Sequence, residues 1–255
     1  MTNDQVHIDQ LGREISLPHP PKRIISLVPS ITELLYDLGL YENIVGRTKF
    51  CVHPKEALRP IPKIGGTKNV HFDRVAALNP DLIIANKEEN DKTQVEQLSQ
   101  HFPVWISDIA NFAEAMEMIQ QLGVILVKKD NANKIVKDSV LLLENIKPKK
   151  SLRAAYLIWQ KPYMTIGHDT YIHDMLKHTG YENIFGEQTR YPSFSLEELK
   201  ERQPEIILLS SEPFPFKQKH IEELKVTFPN IPIQLVDGEA FSWYGTRFLK
   251  VFRQQ

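Results

Sequence analysis

The chain has 255 residues, of which 31 are basic and 32 acidic, so its formal net charge is −1. Proteins that hold nucleic acid usually carry a basic excess or a dense basic stripe, and this balance argues against a nucleic-acid partner. Hydrophobic residues make up 42% of the chain, enough for a sizeable core, and the one cysteine, Cys51, excludes an internal disulfide and any multi-cysteine metal site.

Three blocks of sequence occur twice and in the same order. Residues 22–28 match 152–158, residues 38–46 match 178–186 through a shared Tyr-Glu-Asn-Ile, and residues 72–85 match 196–209. A single match of this length could arise by chance, but three ordered matches predict two similar lobes.

The first half alternates strands and helices. Residues 23–28 are a short aliphatic run, typical of a buried strand. Ser30 and Glu33 have the spacing of a capping box, which predicts a helix over 31–38. The alternation of strands with helices predicts a parallel sheet.

The block around Pro80 predicts a second strand–helix junction. Residues 73–78 predict a short helix that ends at Asn79-Pro80, because a residue before proline avoids the helical region. Residues 81–85 then predict a strand. The second half repeats this device at Gln203-Pro204, with a strand predicted over 205–209.

The middle of the chain is the most helical part. Residues 112–126 and 131–146 carry apolar side chains at helical spacing, and Pro148 follows. A helix of about 16 residues spans roughly 24 Å, long enough for a stiff connector. We therefore expect an N-terminal lobe at 1–125, a connecting helix at 126–149 and a C-terminal lobe at 150–255.

The start of the chain and its apolar runs bear on the compartment. The first twenty residues are polar, without the apolar stretch of a signal peptide and without a lipobox cysteine. The aliphatic runs are far shorter than the roughly 20 residues that a membrane helix needs. The sequence therefore predicts a protein that does not span a membrane, and it leaves a cytoplasmic location open.

With these elements placed, the sequence resembles a known family. Segments 9–15, 21–35, 78–84 and 180–185 are similar to those of the class III substrate-binding proteins of ABC importers, the helical-backbone metal receptor superfamily. The resemblance extends over residues 10–249. It implies an α/β fold of two similar lobes, with mostly parallel sheets flanked by helices, joined by a single long backbone helix.

The resemblance also implies a function. Residues 29–33 and 241–247 look most like those of the cobalamin-binding branch of the family. The iron–siderophore-binding branch is also similar. Such a protein binds cobalamin, or an iron–siderophore or haem-type complex, in a cleft between the lobes and delivers it to an ABC permease dimer. The family works as a periplasmic or extracytoplasmic monomer, without a built-in cofactor and without catalysis. A cytosolic enzyme or ligand sensor on the same scaffold is the alternative, motivated by the absent leader.

Ligand residues are expected after the strands, because α/β lobes bind ligands at the carboxyl ends of their strands. The segments concerned are 29–30, 48–54, 86–90, 159–165 and 210–216, with 190–192 and 241–247 added by resemblance. Their aromatic residues suit a large flat ligand. The candidate ligand residues are Phe50, Cys51, His53, Trp159, Tyr163, Tyr191, Phe241, Trp243, Tyr244 and Arg247.

Less specific interpretations of these residues stay open. Aromatic residues are often part of a core, and Arg247 could cap a helix end as readily as it could hold a ligand carboxylate. Cys51 and His53 could contact a metal carried by the ligand, although a single thiol favours packing. No histidine pair has metal-ligand spacing, so we predict no metal site in the protein itself, and no phosphate loop or nucleophile elbow suggests an enzyme.

Two acids occupy equivalent places in the repeat. Asp73 lies seven residues before Pro80, and Glu197 lies seven residues before Pro204. Each falls at the start of a predicted helix, where the helix dipole favours a carboxylate by about 0.3–1 kcal/mol. The resemblance implies a further role, in which one acid per lobe meets arginines of the two permease subunits. Asp73 stands where glutamate is usual in the family.

Overall fold

The computed structural model describes residues 4–146 and 150–253. The strands in these ranges are β1 (Asp4–Ile8), β2 (Glu14–Pro18), β3 (Ile24–Ser26), β4 (Ile44–Arg47), β5 (Leu82–Asn86), β6 (Val104–Ser107), β7 (Leu152–Leu157), β8 (Tyr163–Met164), β9 (Tyr181–Asn183), β10 (Ser193–Phe194), β11 (Ile206–Ser210) and β12 (Ile233–Val236). The helices are α1 (Pro29–Asp37), α2 (Lys55–Leu58), α3 (Phe72–Leu78), α4 (Lys92–Ser99), α5 (Phe112–Ile125), α6 (Lys129–Asn145), α7 (Tyr171–His178), α8 (Leu196–Glu201), α9 (Gln218–Thr227), α10 (Gly238–Ser242) and α11 (Arg247–Phe252). Among the described residues, no helix combines the length and apolar character that a membrane crossing requires.

The described residues form two compact units. Unit 1 consists of residues 4–108, 113–138 and 244–247. Unit 2 consists of residues 109–112, 139–146, 150–243 and 248–253.

Each unit is built around a four-stranded parallel sheet. The order is β4-β3-β5-β6 in unit 1 and β9-β7-β11-β12 in unit 2. When the four strands of each sheet are numbered in chain order, the first lies between the second and the third, and the fourth forms an edge. This shared order confirms the α/β class and the two similar lobes predicted from the repeated blocks. Strand pairs β1–β2 and β8–β10 are separate and antiparallel.

The repeat extends to the side chains that tie a helix end to the start of a strand. In unit 1, Arg23 donates through Nη2 to the carbonyl of Leu78, the last residue of α3, at 2.6 Å. In unit 2, Arg153 donates through Nη2 to the carbonyl of Arg202, just after α8, at 2.8 Å. Each arginine thus satisfies carbonyls that a helix end leaves without an internal partner.

The backbone that follows these two helices is also repeated. Asn79 and Gln203 have left-handed φ values of 41° and 51°, and each precedes a proline. The acid after each proline, Asp81 or Glu205, accepts the backbone N–H of the strand-start arginine at 2.8 Å. These turns confirm the predicted helix ends at Asn79-Pro80 and Gln203-Pro204.

The helices in the middle of the chain follow the predicted ranges closely. Predicted helices over 112–126 and 131–146 correspond to α5 and α6, and Val127, with a φ of 54°, separates them. Residues 129–138 of α6 belong to unit 1, and 139–145 belong to unit 2. The predicted limits at 125 and 150 stay a prediction, and residues 1–3, 147–149 and 254–255 of the predicted lobes and connector lie outside the described residues.

The start of α1 differs from the prediction. The helix begins at Pro29 after Val28, without a side-chain cap, because proline is already suited to the first helical turn. Ser30 is therefore inside the helix and buried. Glu33 forms an ion pair with Arg247 at 3.0 Å, so the predicted capping box is wrong.

The two cores differ in composition. In unit 1, strands β3 and β5 are buried along their whole length and carry mostly aliphatic residues, as expected for a sheet covered on both faces. Unit 2 adds aromatic side chains to its aliphatic strands. Its core includes Phe185, Phe194, Phe216 and Phe228.

Candidate ligand site

Four of the ten predicted ligand residues lie shortly after strands of the two parallel sheets. Phe50, Cys51 and His53 come after β4 of unit 1, and Trp159 lies two residues beyond the end of β7 in unit 2. Tyr163 lies in β8, a few residues further along. These are the carboxyl ends of the strands, where α/β sheets bind ligands.

Phe50 and Trp159 present exposed rings. Phe50 is 50% exposed, and the ammonium group of Lys49 lies 4.9 Å from its ring centre. Trp159 is 40% exposed, and its ring packs edge-on against Phe214 at 5.6 Å between centroids. Each unit therefore offers an aromatic surface at the carboxyl edge of its sheet, suited to contact with a flat apolar group.

Tyr163, Tyr191 and His53 are half-buried. The ring of Tyr163 stacks on Phe194 at 6.0 Å, and its hydroxyl accepts a hydrogen bond from Gln160 Nε2 at 3.2 Å. The guanidinium of Arg190 lies 5.5 Å from the ring centre of Tyr191. All three predicted residues keep part of their surface accessible, so a ligand role stays open to them.

Cys51 is packed inside unit 1. Its side chain is fully buried, and Thr32 Oγ1 donates to the sulfur at 3.0 Å while Thr48 Oγ1 lies 3.2 Å away. Burial raises the pKa of the Cys51 thiol, and the hydrogen bonds with the two threonines oppose that rise. The predicted ligand contact is replaced by packing, because the thiol exposes no surface.

Three predicted aromatic residues near the end of the chain are also buried. Phe241, Trp243 and Tyr244 expose 5%, 7% and 5% of their surface. Phe241 packs in unit 2 against Tyr156, with 5.5 Å between ring centroids. In unit 1, the Tyr244 hydroxyl donates to Glu89 Oε1 at 2.7 Å. The core alternative therefore describes these side chains better than the predicted ligand contact.

Arg247, another predicted ligand residue, pairs with a carboxylate of the protein. Its Nη2 lies 3.0 Å from Glu33 Oε1, and its Nε donates to Glu33 Oε2 at 3.1 Å. The two side chains are only 13% and 3% exposed. Thr246 donates to Asp37 beside this pair. These contacts anchor residues 244–247 within unit 1, and a ligand role for Arg247 stays a prediction.

The structure adds a buried polar cluster at the carboxyl edge of unit 1. Asn86 Nδ2, at the end of β5, donates to Ser107 Oγ at 3.0 Å, and Asn86 Oδ1 accepts the N–H of Glu88 at 2.8 Å. Asn90 Oδ1 accepts the N–H of Asn86 at 2.8 Å. Residues 86–90 are one of the segments in which ligand residues are expected, and these bonds show that Asn86 and Asn90 fix the shape of the loop.

Unit 2 has a half-buried carboxyl at the corresponding edge. Glu212 follows β11, and Ser242 Oγ donates to its Oε1 at 2.7 Å. Removal from water raises the pKa of the Glu212 carboxyl, and the Ser242 hydrogen bond opposes that rise. The sequence signal for Glu212 was its position just after a predicted strand.

Asp73 and Glu197 occupy the same position in their helices. Asp73 is the second residue of α3, Glu197 is the second residue of α8, and both are exposed. Ser195 Oγ caps α8 by accepting the N–H of Glu198 at 3.1 Å, whereas His71 precedes α3 without a side-chain cap. The docking role of the two acids stays a prediction.

Within the ranges that the structure describes, no group of three or more His, Cys, Asp or Glu side chains could hold a metal ion.

Comparison with known proteins identifies the family. The sequence profile of the periplasmic binding protein family matches residues 24–227. The vitamin B12-binding protein of Vibrio parahaemolyticus is 28% identical over 197 residues, which cover 75% of this chain and 71% of that protein. The uncharacterized ABC transporter substrate-binding lipoprotein YvrC of Bacillus subtilis is 27% identical over 212 residues, covering 78% and 67%.

A solved structure agrees in fold. The crystal structure of the periplasmic vitamin B12 binding protein BtuF of Vibrio cholerae superposes with a TM-score of 0.78 at 23% identity, covering 92% of this chain and 95% of that one. At this identity the likeness establishes the fold. The match of the family profile to most of the chain establishes more: the protein belongs to the periplasmic binding protein family and is a substrate-binding protein.

Proposed function

We propose that this protein is the substrate-binding component of an ABC importer and that its ligand is cobalamin or an iron–siderophore or haem-type complex. The exposed rings of Phe50 and Trp159, at the carboxyl edges of the two sheets, carry the proposal. The names of the relatives support it, since one binds vitamin B12 and another is an ABC transporter lipoprotein. The protein then works outside the cytoplasm as a monomer and docks on a permease dimer.

The exposed rings favour a large flat ligand for an energetic reason. Burial of apolar surface contributes about 25 cal/mol per Å², and offset stacking adds to this for aromatic pairs. Corrin and porphyrin rings, and aryl groups of siderophores, present such surfaces. The half-buried Tyr163, Tyr191 and His53 add polar atoms that orient the ligand. Binding is non-covalent, and the metal complex is cargo that passes through without chemistry.

Tryptophan fluorescence tests the ligand class. Purified protein is titrated with cyanocobalamin, haemin and a ferric siderophore, with N-acetyltryptophanamide as the control for absorption by the ligand. Trp105 and Trp243 are buried, so the exposed Trp159 should supply most of the ligand-dependent quenching. Trp159→Phe should remove that quenching. The proposal fails if none of the three complexes quenches the wild-type protein beyond the control.

The two exposed acids form the docking part of the proposal. Asp73 and Glu197 stand at the starts of α3 and α8, one in each unit, where arginines of two permease subunits can pair with them. Asp73→Ala and Glu197→Ala should each lower ligand uptake by the importer and leave ligand affinity unchanged. Glu222→Ala, at an exposed acid of α9, is the matched control. Weakened ligand binding with normal uptake would contradict the docking role.

A further inference from the structure

We propose that unit 1 contains a binding site for a small, multiply charged oxyanion, such as a polycarboxylate or a phosphate ester. The site is a pocket beside β4. The proposal of an anion site does not depend on the proposed function. Its volume is about 580 Å³. Small-molecule sites commonly occupy about 300–1,000 Å³, so the pocket has room for more than a single inorganic ion.

The lining of the pocket is strongly cationic. It includes five basic side chains, Arg47, Lys49, Lys55, Arg59 and Lys63, and one acid, Glu56. The formal charge of this set is +4, whereas the whole chain carries −1. A concave surface lined by one sign of charge focuses its potential and concentrates counter-ions of opposite sign.

Arg47 forms the fixed base of the pocket. It ends β4 and is 6% exposed. Its Nε donates to the carbonyl of Leu58 at 2.9 Å, and its Nη1 donates to the carbonyl of Cys51 at 2.8 Å. These carbonyls hold the guanidinium in place without neutralising it. Among the described residues, no carboxylate forms an ion pair with Arg47 within 4.0 Å.

The other four cations are exposed and also lack an acidic partner within the described ranges. Elsewhere, basic side chains find carboxylates: Lys87 lies 2.6 Å from Asp108, and Arg202 lies 2.6 Å from Glu187. A buried charge without a counter-charge is costly, and neighbouring like charges repel each other. An anion with two or more charges would offset both costs, and it could accept a hydrogen bond from Nη2 of Arg47, since Nε and Nη1 already donate to backbone carbonyls.

Calorimetric titration of the full chain with citrate and with pyrophosphate, at matched ionic strength in chloride, tests this site. Lys55→Ala/Lys63→Ala removes two pocket charges and keeps the buried Arg47. Lys219→Ala/Lys225→Ala removes two exposed lysines from α9 and is the charge-matched control. We expect saturable binding to the wild type, about tenfold or more weaker in the pocket variant and within about twofold in the control. Binding of neither anion, or equal weakening in both variants, would overturn the proposal.

A competition arm identifies the source of the anion. If the pocket receives an anionic group of the transported complex, saturating citrate should weaken the binding of cyanocobalamin or haemin. If the pocket takes a separate anion, that affinity should not change. Either result upholds the anion site and assigns its source. A protein that binds citrate but none of the metal complexes would contradict the proposed function alone.

Discussion

The two units share one framework and differ in the side chains at its carboxyl edge. Both sheets have the same strand order, and in both an arginine at the first strand ties down a helix end. The edge of unit 1 carries the exposed ring of Phe50 beside many polar and basic groups, which include the Asn86–Ser107 hydrogen bond and the pocket around Arg47. The edge of unit 2 is aromatic, with Trp159 packed on Phe214.

The features that both units share are those that the fold requires. Buried aliphatic strands and satisfied helix ends are common to both units, so they define the framework. The loops after the strands are free to diverge, because they lie outside the hydrogen-bonded ladder of the sheet. The two edges therefore present different chemistry on the same framework.

Removing an aromatic core residue of unit 2 should have the largest effect on stability. Phe185 is fully buried, 4.9 Å from Phe194 between ring centroids and beneath the guanidinium of Arg202. Phe185→Ala should lower the free energy of unfolding by about 4 kcal/mol in a urea titration. Phe50→Ala removes the same side chain at a site that is 50% exposed and should stay within about 0.5 kcal/mol of the wild type. Equal losses would break the distinction between core and edge.

Loss of the Glu33–Arg247 ion pair in unit 1 should have the second-largest effect on stability. Glu33→Gln removes the Glu33 charge from beside Arg247 in a buried site, which should cost about 3 kcal/mol of unfolding free energy. The double variant Glu33→Gln/Arg247→Met removes both charges and should recover part of that loss. Urea denaturation of both variants measures the effect. A double variant less stable than the single one would show that the pair is not the source of the cost.

The half-buried carboxyl of Glu212 in unit 2 should give a smaller, pH-dependent effect. Because the pKa of Glu212 is raised in the folded protein, the folded state binds this proton more tightly than the unfolded state does. Its contribution to stability is therefore present at acidic pH and is lost as pH rises from the ordinary value of 4.5 through the raised one. Glu212→Gln keeps the acceptor for Ser242 and should flatten this decline. Unfolding free energies measured across that range, with the exposed Glu201→Gln as control, check it; parallel curves for the two variants would contradict the assignment.

The sequence predicted much of the framework because its signals are local. The proline after each short helix, the aliphatic strands and the spacing of α5 and α6 each depend on neighbouring residues. The repeated blocks then implied two similar units. Side-chain pairs between residues that are far apart in the sequence were not predictable in this way. Arg247 pairs with Glu33, 214 residues away, and nothing near either residue indicates the other.

The candidate site was predicted only in part, for the same reason. Position after a strand located the carboxyl-edge loops correctly, but it could not tell exposed from buried side chains within a loop. Phe50 and Cys51 are neighbours, yet one is 50% exposed and the other is fully buried against Thr32, a contact that only the folded chain creates. The cationic pocket was not predicted because its lysine and arginine residues, spread over 47–63, are types that are common on any protein surface.

The most direct test of the account is the affinity of the double variant Phe50→Ala/Trp159→Ala for the metal complex that binds best. Each substitution removes an exposed ring from one unit, so the unfolding free energy should stay within about 1 kcal/mol of the wild type. Calorimetry should show binding weakened by about tenfold or more, because both aromatic contacts are lost. Unchanged affinity in a folded double variant would contradict the claim that these rings hold the ligand.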